Sequence, residues 1–249
     1  MNIMLWYYIW SPKYEIFHGI MQSCIIKNKG FELNPIFVPQ EIFSNTYQSN
    51  TDHFLCGNNI QMECTAEALK LHPNEHIIFS DVDLIVNTKH IEKLYDYMQT
   101  YKKFDMVFMK DNFIDDTRNI GLCLIKSTPE TIVFFKNVSK EIIRSNSQNQ
   151  KIVNDFLPSF TGTHSIFSFP EIIQSNMATN ETLDFYVLQM LCSQKTADEN
   201  IGEKLASAAK FINIKEGLHL ISPITRQYLR DYYIQFNQPN HFSHFLSEI

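Results

Sequence analysis

Apolar residues along this chain fall into two alternating patterns. Short continuous runs at Ile3–Trp10, Phe31–Val38, Glu75–Ser80, Asp105–Met109 and Gly121–Ile125 read as strands buried on both faces. Between them the apolar positions return at helical spacing. Tyr14–Lys27 presents Phe17, Ile20, Met21 and Cys24, Gln61–Leu71 follows, and Thr88–Tyr101 presents Ile91, Leu94 and Met98. A further helix opens at Thr128-Pro129, with Pro at its first position, and carries Ile132, Phe135 and Val138 on one face. Gly30 closes the first helix and Pro73-Asn74 breaks the second, while the Asn-, Ser- and Thr-rich stretch Ser44–Asn59 reads as a long surface connection. In the tail, Thr182–Cys192 and Gly202–Lys210 read as helices, and Lys210–Ile214 as a short strand before Gly217. Strands alternating with helices predict βαβ units, hence an α/β fold with helices on both faces of a largely parallel sheet. No internal repeat or low-complexity linker divides the chain, so residues 1–249 are expected to form a single domain.

Composition narrows the class of protein. With 44% hydrophobic and 19% charged residues the chain has the balance of a folded globule and not of a disordered polymer. Its formal net charge of −6 supplies no cationic field for a phosphate backbone, which argues against nucleic-acid binding. A bound phosphate must therefore be neutralised locally, by a metal or by backbone N–H groups. The five cysteines, Cys24, Cys56, Cys64, Cys123 and Cys192, are odd in number and scattered without Cys-x-x-Cys pairs, which fits free thiols in a reducing compartment. The N-terminal apolar run lacks a basic n-region and a small-residue cleavage site, and it falls short of the roughly 20 residues that span a bilayer. The expected location is cytoplasmic, with any membrane contact peripheral and made through a substrate or partner.

The candidate chemistry lies at Asp81-Val82-Asp83, directly after the apolar run that ends at Ser80. In open α/β sheets ligands bind beyond the carboxyl ends of the strands. Two carboxylates two residues apart on an extended backbone point to opposite faces, so both reach one ion only if the chain turns as it leaves the strand. Hard oxygen ligands favour Mg²⁺ or Mn²⁺, ions that bridge diphosphate oxygens and stabilise a departing nucleoside diphosphate. An Asp-x-Asp also occurs as a simple solvated turn.

From residue 60 to 175 the chain resembles the GT-A glycosyltransferases, in particular the nucleotide-diphospho-sugar transferase family. His76-Ile-Ile-Phe-Ser-Asp-Val-Asp83 is similar to that family's strand ending in a metal-binding Asp-x-Asp. Phe104-Asp-Met-Val-Phe-Met-Lys-Asp111 resembles its next strand, and Asn119-Ile-Gly-Leu-Cys-Leu-Ile-Lys-Ser-Thr128 its Asn-x-Gly strand and helix start. Asn149-Gln-Lys-Ile-Val-Asn154 stands where the family usually has Asp-Gln-Asp followed by Asn, so Asn149 and Lys151 replace carboxylates, and Ser168-Phe-Pro-Glu171 resembles the strand entering the acceptor side. The resemblance implies a mixed, mostly parallel Rossmann-like sheet, with a nucleotide-binding half over about 1–110 and an acceptor-side half with C-terminal helices over about 111–249. It implies Asp81 and Asp83 on Mn²⁺ or Mg²⁺, His219 as a third metal ligand with His241 and His244 as alternatives, and Asp81, Gly121 and Asn154 against the donor. It further implies Asp111, Asn119 and Gln150 around the donor sugar, and Tyr8 or Trp10 against the base, although aromatics in such a strand are more often core. Asp115 and Asp116 read as an acceptor-side pair or a solvated turn, and Arg226 and Arg230 as anion contacts or a solvated helix face.

The function so implied is transfer of a sugar, with retention of configuration, from a nucleotide-diphospho-sugar, a UDP-sugar being favoured, to a carbohydrate, glycoprotein or glycolipid acceptor. The alternatives are a nucleotide-sugar-binding protein of this fold without turnover, motivated by Asn149 and Lys151, and a nucleotidyltransferase. The latter usually carries a Gly-rich loop after its first strand, which Ser11-Pro-Lys-Tyr-Glu15 lacks.

Overall fold

Strand β1 (Met4–Trp10) alternates its side chains between two cores: Trp6 and Tyr8 enter one, and Tyr7 enters the other. The computed structural model describes residues 3–25, 30–39, 42, 50–112, 116–168, 171–174, 185–190, 201 and 204. After β1 a single 3-10 turn (Pro12–Tyr14) leads into α1 (Glu15–Ile25), whose Phe17, Ile20, Met21 and Cys24 pack on the first core. Strand β2 (Phe31–Phe37) follows, then α2 (Asn50–Leu71), β3 (His76–Ser80) and the short β4 (Leu84–Val86). Next come α3 (Ile91–Thr100), β5 (Met106–Lys110), β6 (Arg118–Lys126), α4 (Pro129–Ser145) and α5 (Asn149–Phe156). Three short strands follow: β7 (His164–Ile166), β8 (Ile172–Gln174) and β9 (Val187–Gln189).

The main sheet has the order β2-β1-β3-β6-β5-β7. Pairs β1·β2, β1·β3 and β5·β7 are parallel, whereas β6 runs antiparallel to both of its neighbours. The sheet is therefore mixed but mostly parallel. Helices α1 and α3 cover one face and α2, α4 and α5 the other. The chain leaves β1 for β2 on one side and returns for β3 on the other, so the order reverses at β1, where open α/β sheets form their ligand crevice. A second sheet, β4-β9-β8, packs on the α1 side and contributes Leu84, Ile85, Val86, Ile173 and Leu188 to that core.

Local signals fix several boundaries. The Thr128 side chain accepts from the Thr131 N–H, and the Thr131 hydroxyl in turn accepts from the Thr128 N–H, a reciprocal cap ahead of Pro129. Asn74 (φ 65°) turns the chain between α2 and β3, and Asn146 (φ 53°) ends α4 in the left-handed region that asparagine tolerates.

Two expectations change. Of the stretch read as a surface connection, 50–59 form the first half of α2, whose Leu55 and Cys56 are buried. Within Thr182–Cys192, residues Val187–Gln189 are a strand and not a helix. Of Gly202–Lys210 only Lys204 is described, and it is helical; Lys210–Ile214, Gly217, His219, Arg226, Arg230, His241 and His244 lie outside the described residues, as does Asp115. No helix among the described residues is long and apolar enough to cross a membrane.

Candidate functional site

The peptide that leaves β3 is fixed from three sides. Trp6 Nε1 donates to Ser80 Oγ (2.8 Å), and that hydroxyl donates onward to the Asp81 carbonyl (2.8 Å). The Asp81 N–H donates to the Gly121 carbonyl (2.9 Å), and the Met190 N–H to the Asp83 carbonyl (3.0 Å). Between β3 and β4 the chain bends at Val82 and passes from the large sheet to the small one. The chain therefore does turn as it leaves β3.

Amides hold the Asp81 carboxylate. Gln61 Nε2, from α2, donates to Oδ1 (2.8 Å), and Gln189 Nε2, from β9, donates to Oδ2 (2.9 Å). Gln61 is itself oriented by Asn149, whose Nδ2 donates to Gln61 Oε1 (2.7 Å). The asparagine that stands where the family has a carboxylate thus reaches Asp81 through one glutamine. Asp83 is buried; Lys204 Nζ pairs with its Oδ2, while its buried Oδ1 has no hydrogen-bond partner among the described residues. Burial and the neighbouring Asp83 push the Asp81 carboxyl up to about 7, against the opposing effect of Lys204, Gln61 and Gln189.

A third carboxylate sits beyond β5. Asp111 Oδ1 accepts from Asn119 Nδ2 (3.3 Å) and from Gln174 Nε2 (3.3 Å), and Gln174 also donates to the Lys110 carbonyl (3.1 Å). Asn119 Oδ1 accepts from the Gly121 N–H (2.6 Å). Gly121 lies against Gln189: a Cβ there would meet Gln189 Nε2 at 2.0 Å. Gly121 therefore gives the Gln189 amide its path to Asp81.

The remaining sequence candidates separate. Asn154 brackets the Arg118 peptide, accepting from its N–H (2.9 Å) and donating to its carbonyl (2.8 Å), so its amide is engaged in anchoring the start of β6. Gln150, half-buried, stands on the first turn of α5 beside Asn149. Lys151 points away to an exposed pair with Asp155 (2.5 Å), and Asp116 is paired at 3.8 Å with Lys110. Tyr8 has no exposed surface, and its hydroxyl shares a hydrogen bond with His18 Nδ1 (3.0 Å). Trp10, half-buried at the carboxyl end of β1, stacks on the His18 ring at 4.2 Å and lies 4.9 Å from the half-exposed Phe37. Burial lowers the His18 pKa, which favours the neutral imidazole against Trp10.

Gln61, Gln174, Gln189, Lys204 and His18 carry no motif, and sequence reasoning passed over them. One signal was available: Ile172-Ile173-Gln174 and Val187-Leu188-Gln189 are two apolar pairs each closed by a glutamine. Among the described residues no group of three or more His, Cys, Asp or Glu side chains is placed to hold a metal. The donors at hand are of the kind a hard divalent cation takes: the Asp81 carboxylate, raised by the charge of Asp83, and the buried Asp83 Oδ1, which has no hydrogen-bond partner among the described residues, although Lys204 already pairs with Asp83 Oδ2.

Comparison with known proteins follows the same lines. The model of the nucleotide-diphospho-sugar transferases matches residues 71–245. No curated protein matches the chain. Among solved structures, a glycosyltransferase involved in the glycosylation of the major capsid of PBCV-1 superposes with a TM-score of 0.60 at 12% identity, covering 83% of this chain and 100% of that one. The apo form of the glycosyltransferase GlyE of Streptococcus pneumoniae TIGR4 gives a TM-score of 0.51 at 12% identity, covering 97% of this chain and 66% of that one. At such identities the likeness is one of fold.

Proposed function

The chain belongs to the nucleotide-diphospho-sugar transferase family, a family of glycosyltransferases, and from that premise we propose that it transfers a sugar from a nucleotide-diphospho-sugar to a glycan-bearing acceptor at the carboxyl edge of β1, β3 and β5. The observation that carries this reading is the Asp81 carboxylate, held between two amides and near enough to Asp83 to feel its charge, where the chain crosses from one sheet to the other. Such preorganisation suits a group that must meet a diphosphate without rearranging.

In this reading Asp81 and Asp83 hold the diphosphate end through a divalent cation. When bound, Mn²⁺ or Mg²⁺ supplies the positive charge that neutralises the diphosphate as it departs. Asp81 keeps its orientation through Gln61 and Gln189, and Asp83, with Oδ2 on Lys204, would offer its Oδ1 to the cation. Asp111, fixed by Asn119 and Gln174, takes the sugar end, with Gln150 beside it on α5. Trp10, braced on one face by His18, is the aromatic that remains accessible to a base, so the base contact assigned to Tyr8 or Trp10 goes to Trp10. A UDP-sugar is the preferred donor and retention the preferred outcome, both on the strength of the family resemblance. The Asn149 substitution is compatible with turnover, since its amide supports Gln61 and leaves the Asp81 carboxylate in place.

The test is a thermal-shift screen of the purified protein against UDP-, GDP-, ADP- and CMP-sugars with and without Mn²⁺. Stabilisation by one nucleotide family, dependent on Mn²⁺, is the expected result; a ligand at 100 times its Kd adds about 2.7 kcal/mol. No response to any donor at millimolar concentration contradicts the reading.

A further inference from the structure

The small sheet reaches the site through two side chains that lie next to each other. Strands β8 and β9 are parallel, and their register pairs Ile172 with Val187, Ile173 with Leu188 and Gln174 with Gln189. Partners in register project from one face of a sheet, so the two glutamine amides leave β8 and β9 together. Both side chains are buried, at 1% and 5% exposure. They do not serve the same acceptor: Gln189 Nε2 reaches Asp81 beyond β3, and Gln174 Nε2 reaches Asp111 beyond β5.

In the main sheet β3 and β5 are separated by β6 alone. Two residues of β6, Asn119 and Gly121, lie at the irregularity where the register of β6 against β5 shifts, Phe108 pairing with Cys123 and Met109 with Asn119. Asn119 meets Asp111, and Gly121 leaves the opening through which Gln189 passes. Gln174 is anchored further by its bond to the Lys110 carbonyl. The paired glutamines therefore span β6 and touch a carboxylate on either side of it.

We propose that Gln174 and Gln189 are a pair of positioning residues that fixes the distance between the diphosphate end of the site, at Asp81, and its sugar end, at Asp111. This rests on the donor-binding reading given above. Amides suit the task because each neutral N–H donor satisfies one carboxylate oxygen while leaving the negative charge for the ligand. A lysine in either place would neutralise that charge. Because the two amides sit on adjacent strands of one sheet, a shift of β8 against β9 alters the spacing of the two acids, and the register at Gln174 and Gln189 sets it.

The experiment is calorimetric titration of wild-type protein and of the Gln189→Met and Gln174→Met variants with Mn²⁺ together with UDP, GDP or ADP, followed by a panel of the corresponding nucleotide-hexoses and nucleotide-pentoses. Methionine keeps length and bulk while removing the donor. Loss of a group that orients a metal-bound carboxylate typically costs roughly 10- to 100-fold in metal affinity. Gln189→Met is expected to lose Mn²⁺-nucleoside-diphosphate affinity in that range. Gln174→Met is expected to lose discrimination among sugars while losing far less nucleoside-diphosphate affinity than Gln189→Met. Gly121→Ala, which displaces the Gln189 amide from the other side, is expected to copy the Gln189→Met loss and serves as the readout should that variant fail to fold. Adding Gln189→Ala to Gly121→Ala is expected to restore the melting temperature but not the affinity. Equal losses from the two glutamine variants, or unchanged Mn²⁺-nucleoside-diphosphate affinity in folded Gln189→Met, overturn the positioning role while the donor-binding reading stands. Wild-type protein that binds none of the three nucleoside diphosphates removes that reading and this inference with it.

Discussion

Asp81 concentrates the electrostatics of the site in one carboxyl group. Burial and Asp83 raise it to about 7, well above the roughly 3.9 of an aspartate in an unfolded chain. Between those two values the folded protein holds a proton that the unfolded chain has released, so stability falls as pH rises across that window. The contribution is fully present below about pH 4 and is lost once pH passes the folded value of about 7. Asp81→Asn removes the buried charge and is expected to raise the melting temperature of metal-free protein at pH 8 by about 2–4 °C, while its advantage over wild type vanishes near pH 4. Thermal melts of both proteins in EDTA from pH 4 to pH 8.5 check this; parallel profiles contradict it. The aspartates themselves were legible in the sequence because a buried strand running into Asp-Val-Asp places acids at a strand end. Their glutamine partners were not, since Gln61 and Gln189 come from segments 20 and 108 residues away.

At the scale of elements, legibility followed length and local chemistry. Helix α4 announced itself by Thr128-Pro129 and by its apolar stripe, and the structure adds the reciprocal Thr128–Thr131 cap. Thr128→Ala is expected to cost about 1 kcal/mol of stability and to leave Mn²⁺-nucleotide affinity unchanged, which urea denaturation and calorimetry together check. The first half of α2 was hidden by composition: Asn50, Asp52, Asn58 and Asn59 look like a loop, and the helical period shows in the buried Leu55, Cys56, Met62, Ala66 and Leu69. The small sheet escaped for a different reason. Its strands have three residues each, too few to show a period of two, and their pairing joins Leu84–Val86 to Val187–Gln189 across about a hundred residues. Tertiary pairing, and not local propensity, makes Val187–Gln189 extended.

Across the whole molecule, the sheet order brings the pieces to one edge. The reversal at β1 sets Trp10 and Asp81 at the ends of neighbouring strands, the antiparallel β6 carries Asn119 and Gly121 to the same edge from the opposite direction, and β5 adds Asp111. The second sheet then closes over that edge with Gln174 and Gln189. A nucleotide-diphospho-sugar laid along it would have its base toward Trp10, its diphosphate at Asp81 and Asp83, and its sugar toward Asp111. Family membership says what class of donor the chain takes; in the reading proposed above, the carboxylates and amides of this edge divide its parts between them. The measurement that tests this most directly is calorimetric titration of UDP, GDP and ADP into wild-type and Asp83→Ala protein, each with and without Mn²⁺. Binding of one nucleoside diphosphate by wild type only with Mn²⁺, and its loss in a folded Asp83→Ala variant, is the predicted result. Affinity that is unchanged by Asp83→Ala, or that does not respond to Mn²⁺, would contradict the assignment of the Asp81–Asp83 pair.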